Sequence, residues 1–239
     1  MYRLIFLILI LSVSADAQTF KEKFVTDFCQ CFDNNIKKVS EDTNLSLLKK
    51  CITNTLEANK KEFTDYIIKD IDTTIIESEL YEDGYAYGYA YGQKFYGDIQ
   101  EQLVNDCDSY YQYTSELSSF MKKNMEKGVT QKNVDSLTRL INKDSLNIAL
   151  IWERGANKIG LKKYKSAQSD FKYCLSKDVN YIPAMFFLAW SYHLQGDFKN
   201  AILTYQNVLN QKSELGSIGD ITKIYLATLK RKLRDKKNN

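Results

Sequence analysis

The sequence predicts an all-α protein in two parts: a disulfide-braced helical first half, then a short α-solenoid with a C-terminal capping helix. Three observations predict it. Over residues 148–214 the chain matches itself at a shift of 34. A fixed period in that range marks stacked helix pairs, each burying its apolar face on its neighbour. Apolar residues recur at helical spacing along most of the chain, with one proline in 239 residues to interrupt them. Four of the five cysteines crowd between positions 29 and 107.

Taken in order, residues 1–17 predict a secretory signal peptide. Arg3 supplies a positive charge, Leu4 to Leu11 an apolar run, and Ser14-Ala15-Asp16-Ala17 a small-x-small cleavage pattern before Gln18. The run is too short to span a membrane well, and no other run is long and apolar enough. The mature chain is therefore expected in a periplasm or outside the cell, not inserted in a membrane. Its charge is uneven. Residues 18–130 hold 13 Lys/Arg and 20 Asp/Glu, and residues 131–239 hold 19 and 9. The first part is acidic and the second basic, which suits one half docking on the other or a basic half meeting an acidic partner.

Within 18–130, Phe20, Phe24, Phe28 and Phe32 recur every fourth residue and predict an amphipathic helix over 20–39. A second helix is expected with Leu48, Ile52 and Leu56 on one face and Cys51 beside it. Phe63, Ile67, Ile71 and Ile75 continue the pattern after a kink near Asn59. Gly84 to Gly92 admits two readings. As a strand, Tyr85, Tyr87, Tyr89 and Tyr91 line one face. As a helix, three glycines form a smooth stripe, each costing about 1 kcal/mol against alanine. Tyr96, Ile99, Leu103 and Cys107 run on at helical spacing, which favours a helix from about Gly92. The tyrosines are a candidate aromatic contact surface. Another helix follows to about Lys127, with Gly128 as its stop and the domain boundary near 128–132.

The clustered cysteines predict two disulfides in an exported chain. Cys29 and Cys31 point about 200° apart on one helix and do not suit each other. Two pairings remain open: 29–51 with 31–107, or 29–107 with 31–51. A metal site is not expected, since C-x-C is no zinc-knuckle spacing and the first half has no histidine. This half is similar to small helical cysteine-bearing secreted proteins of Bacteroidota, a likeness that implies no activity. Cys174 stands apart as a small core residue.

In 131–239 the shift of 34 sets Leu137, Phe171 and Tyr205 at one position, Ile148 over Ile182, and Ala167 over Ala201. With Ile148 and Ile182 as first residues, small residues stand eighth (Gly155, Ala189). Tyr192 stands eleventh in the second unit, but Lys158 in the first. Gly196-Asp197-Phe198 forms the turn, where the first unit has Lys162-Lys163-Tyr164. Alanine stands twentieth and an aromatic twenty-fourth in both. This pattern resembles the tetratricopeptide repeat family, with units 148–181 and 182–215, a worn partial unit at 133–147, and a cap over 220–235. Proline near the end of each unit is missing, with Val179 and Ser213 in its place.

The resemblance implies two-helix repeats whose first helices line a concave groove. Mapped here, that groove includes Trp152 and Ala156 from the first repeat and Phe186, Trp190 and His193 from the second. It is aromatic and apolar, as anchors for a peptide are. The lysines and asparagines with which the family clamps a C-terminal carboxylate are absent. Asp220 is read as the cap of a last helix whose inner face carries Ile221, Ile224, Tyr225 and Leu229. The basic Lys230–Lys237 stretch suits a helix C-terminus, and an exported chain is not expected to meet nucleic acid. No catalytic signature, metal cluster or phosphate loop is present, no cofactor is implied, and the lone His193 reads as a wall residue. The expected function is that of an exported, non-enzymatic protein-binding or scaffold protein that holds a protein or peptide. The alternative is a structural, self-associating envelope protein whose repeats dock its own N-terminal domain. Oligomeric state is not read from the sequence.

Overall fold

A computed structural model describes residues 20–36, 44–70, 95–211 and 215–238. The predicted signal segment and the Gly84–Gly92 stretch with its four tyrosines lie outside the described residues. Within them the protein is all-α, with eleven helices and no strand. We number them α1 (residues 20–36), α2 (Asn44–Ala58), α3 (Lys60–Asp70), α4 (residues 95–106), α5 (Asp108–Glu126), α6 (Gln131–Lys143), α7 (Ile148–Gly160), α8 (Tyr164–Lys177), α9 (Ile182–Leu194), α10 (Phe198–Leu209) and α11 (Gly216–Asn238). None of the described helices is long and apolar enough to cross a membrane. The chain divides into two compact units between Tyr111 and Gln112, inside α5.

In the first unit the phenylalanine stripe of α1 is the core. Phe20, Phe24, Phe28 and Phe32 are all buried. Phe20 and Phe24 pack on Phe95 of α4, with centroids at 5.3 and 5.0 Å. Phe28 and Phe32 meet the ring of Tyr110 edge-on at 5.6 and 5.8 Å. The Tyr110 hydroxyl, fully enclosed, donates to Gln100 Oε1 at 2.7 Å and lies 2.9 Å from the Tyr96 hydroxyl. A buried polar group of this kind is tolerated because its partners are buried with it. Asn59 marks the expected kink between α2 and α3. Its side-chain amide donates to the Thr55 carbonyl and to Asp27 Oδ2, both at 2.9 Å.

Cys31 and Cys51 form a disulfide that ties α1 to α2, with Cα atoms 5.7 Å apart. It also corrects the expected orientation of α2. Leu47, Cys51 and Thr55 are buried, while Leu48, Ile52 and Leu56 are only half-buried. The bond draws Cys51 to the centre of the inner face and rolls the leucines to its side. α11 is a second correction. It begins at Gly216, so Asp220 lies within it and does not cap it. Gly219 lacks the Cβ that would stand 2.8 Å from Leu215 Cβ, so Leu215 folds over the first turn and its carbonyl accepts from Ile218 and Gly219.

In the second unit, each helix from α6 to α11 packs on the next, and α7 also touches α9. α7 and α9 begin 34 residues apart, as do α8 and α10. Pro183 sits in the first turn of α9, where no intrahelical N–H is required of it. The turn before α10 has Gly196 at φ +77° and Asp197 as cap, its carboxylate accepting from the Asn200 N–H at 3.3 Å. At the matching turn before α8, Lys162 occupies the same left-handed region, at φ +60°. Gly160 is where α7 meets α5. A Cβ there would stand 2.6 Å from the Met125 carbonyl oxygen and 3.2 Å from Val129. Backbone yields less than a side-chain tip, so Gly160→Ala is expected to lower stability by about 1–2 kcal/mol. A thermal melt of the variant checks this, and an unchanged Tm refutes it.

Candidate functional site

The residues mapped to the expected groove lie on α7 and α9 at spacings of three and four, which place them on one side of each helix. Trp152 and Ala156 come from α7, and Phe186, Trp190 and His193 from α9. The structure brings Trp152, Phe186 and Trp190 together around Phe187. That ring meets Trp152 at 5.4 Å, Trp190 at 5.8 Å and Phe186 at 5.7 Å. Only Trp152 and His193 of the set keep part of their surface exposed. Ala156 and Phe186 are buried, and Trp190 is 0% exposed.

What covers them belongs to the same unit. The Trp190 indole N–H donates to Ser118 Oγ of α5 at 2.9 Å, in a buried bond. Phe186 stacks on Tyr225 of α11, centroids 6.3 Å apart, and lies 6.0 Å from Tyr205 of α10. The Tyr225 hydroxyl donates to Met121 Sδ of α5 at 2.8 Å, and the Thr228 and Thr114 hydroxyls meet at 3.0 Å. Two helices, α5 and α11, thus close over the α9 face and over one another. Burial drives the hydroxyls of Tyr205 and Tyr225 well above the ordinary tyrosine value. Both stay neutral under ordinary conditions, as packed aromatic walls should. The Trp152 ring is part-exposed, but its Nε1–H is buried and finds no hydrogen-bond partner among the described residues.

His193 is enclosed by aromatic rings: Tyr225 at 5.4 Å, Phe198 at 6.1 Å and Tyr205 at 6.4 Å. Burial pushes its imidazole down to about 4, with Lys232 adding repulsion. The folded value lies below the unfolded 6.5, so the native state binds fewer protons between them. The contribution of neutral His193 is present above about pH 6.5 and is lost as pH falls towards about 4. Its full size is about 3 kcal/mol. His193→Gln should therefore flatten the acid limb of the Tm-versus-pH curve between about pH 7 and pH 4.5. Parallel curves for variant and wild type would refute it.

One cluster has no precursor among the sequence-derived candidates. Asp170 of α8 is buried and accepts from Arg154 Nε at 3.0 Å, Arg154 Nη2 at 2.7 Å and Lys158 Nζ at 2.7 Å, both cations from α7. Lys158 is the residue that stands where the matching position of α9 carries Tyr192. Its departure from the pattern is an exchange of an aromatic contact for an ion pair. Arg154 and Lys158 are one helical turn apart, a signal present in the sequence, but the acid that joins them comes from the next helix.

Cys174 is buried and bonds the Ile148 carbonyl at 3.3 Å. Burial pushes its thiol up to about 11. Of the two disulfides expected, the described residues show one, Cys31–Cys51, while Cys29 and Cys107 are thiols. No cluster of three or more metal-ligating side chains occurs among the described residues. Compared with family models, with curated proteins and with solved structures, the chain matches none.

Proposed function

We propose that this chain is an exported, non-enzymatic scaffold protein whose tetratricopeptide-like repeats grip their own flanking helices, α5 and α11, in place of a foreign peptide. The observation that carries this reading is the buried bond from Trp190 to Ser118. A residue mapped to the binding face is satisfied from within the chain, and it is satisfied by the helix just ahead of the repeats. Support for the repeat reading comes from the spacing of the helix starts, the fully buried Ala167 and Ala201, and the fully buried Phe171 and Tyr205. Gly155 adds to it, because a Cβ there would stand 2.6 Å from the Phe171 ring. Export is supported by the Cys31–Cys51 bond, which suits an oxidising compartment.

A role in holding a second protein is the competing reading, and the part-exposed ring of Trp152 favours it. Native-state hydrogen exchange separates the two. If the repeats grip α5 as part of the fold, amides of α5 after Gln112 exchange with the same free energy as those of α9. If α5 opens at lower denaturant while α7–α10 stay protected, the covered face is a binding groove behind a latch, and the proposal fails.

A further inference from the structure

Charge is sorted within the second unit in a way the scaffold reading does not use. The turns that join α6 to α10 are three or four residues long, so successive helices reverse direction and alternate turns fall at opposite ends. The α7–α8 and α9–α10 turns share one end, and contacts carry that end across the unit. Lys163 Nζ donates to Gln131 Oε1, at the start of α6, at 2.6 Å. Lys162 Nζ lies 3.6 Å from Glu126 Oε1, in the last turn of α5. Gln168 of α8 donates to Gln195 Oε1, just past α9, at 2.8 Å. Lys232 Nζ sits 4.8 Å over the Phe198 ring, which sets the late turns of α11 beside the start of α10. The four stretches gathered there, 122–132, 160–166, 195–200 and 228–238, hold 14 Lys/Arg and 3 Asp/Glu. All but Lys122 and Arg231 of these cations are exposed. The acids are already engaged. Glu126 lies between Lys122 and Lys162, Asp197 caps α10, and Asp235 lies between Arg231 and Arg234. At the other end, 140–150 and 175–184 hold 2 Lys/Arg and 2 Asp/Glu.

We propose that this lysine-rich end docks the protein on a bilayer surface carrying anionic headgroups, by charge and without insertion. Cations crowded on one end repel one another, and an anionic surface relieves that repulsion while attracting the whole set. The shape suits a bilayer. The cations stand at the ends of packed helices, whose axes lie about 8–10 Å apart, so they form a plane several helices wide and not a groove. The residue type suits it as well. All but Arg231 and Arg234 are lysines, hydrated point charges that meet a diffuse negative surface without the fixed fork of arginine. A single-stranded nucleic acid calls for aromatic side chains on which its bases stack. Among the described residues, the four stretches expose no large apolar or aromatic side chain, so neither stacking nor a wedge into lipid is on offer. The exposed Leu146 and Val179 lie in the α6–α7 and α8–α9 turns, at the other end.

The test is co-sedimentation of the full mature chain with vesicles of phosphatidylcholine alone, or of phosphatidylcholine with about one third phosphatidylglycerol. Binding is expected to the second vesicle and not to the first. It should fall about tenfold or more between about 0.1 M and 1 M salt, as the screening length shrinks from about 10 Å to about 3 Å. Two variants of equal net charge locate the face. Lys165→Glu with Lys199→Glu reverses two exposed lysines of the basic end and should weaken binding about tenfold or more. Lys143→Glu with Lys177→Glu reverses two at the other end and should weaken it less than about twofold. Equal losses in the two variants would mean attraction by net charge alone and would overturn the face. No binding to the anionic vesicles at about 0.1 M salt would overturn the bilayer as partner. Retention on heparin without vesicle binding would replace it by a soluble polyanion, and salt-sensitive oligomers without vesicle binding would replace it by a second copy of the chain. Should a variant fail to fold, the lipid and salt dependence of the wild type decides alone.

Discussion

Asp170→Ala lowers the unfolding free energy by about 3–5 kcal/mol. The carboxylate is 6% exposed, and the side chains of Arg154 and Lys158 that flank it are 18% and 14% exposed. Removing the acid leaves two cations side by side, largely out of water and without their counter-charge. That arrangement costs more than the pair contributed when intact. Lys158→Met should cost less, because the two bonds from Arg154 to Asp170 survive it. Urea denaturation followed by far-UV circular dichroism measures both variants. A loss under about 1 kcal/mol for Asp170→Ala would mean that water reaches the cluster and screens it.

The helices were legible in the sequence because their signal is local. A phenylalanine every fourth residue fixes the buried side of α1, and a 34-residue period fixes where α7 to α10 begin. Asn59 was legible as a kink because a polar residue broke an apolar pattern. Orientation about the helix axis was less so. Leu48, Ile52 and Leu56 outrank Cys51 and Thr55 in hydrophobicity, yet the covalent bond to Cys31 rolls α2 about its axis. Lys158 was visible as a mismatch, but its purpose depends on Asp170, twelve residues away on another helix. The positions of Trp152, Phe186 and Trp190 followed from the 34-residue register, but Phe187, the ring on which all three meet, did not. Nor did the cover over them, since Trp190 and Ser118 are 72 residues apart and no periodicity links them.

Trp190→Ala is the second large effect, a loss of about 3–5 kcal/mol, because a fully buried indole leaves a cavity that its neighbours fill only in part. Size alone does not say whether the residue belongs to a core or to a groove occupied by α5, so the pairing with Ser118 decides. Ser118→Ala strands a buried indole N–H and should cost about 1–3 kcal/mol. In the double variant neither partner remains to be stranded, so the two losses should fall short of additive by about 1 kcal/mol. A coupling of that size makes α5 an integral wall of the second unit, and the face carrying Phe186 and Trp190 is then part of the interior. Strict additivity together with a small loss for Trp190→Ala would mean that α5 rests on α9 without being held. The same face would then be open to a peptide, with Trp152 at its mouth. The cycle is read by chemical denaturation of all four proteins at one pH, chosen above about pH 6.5 so that His193 is neutral throughout.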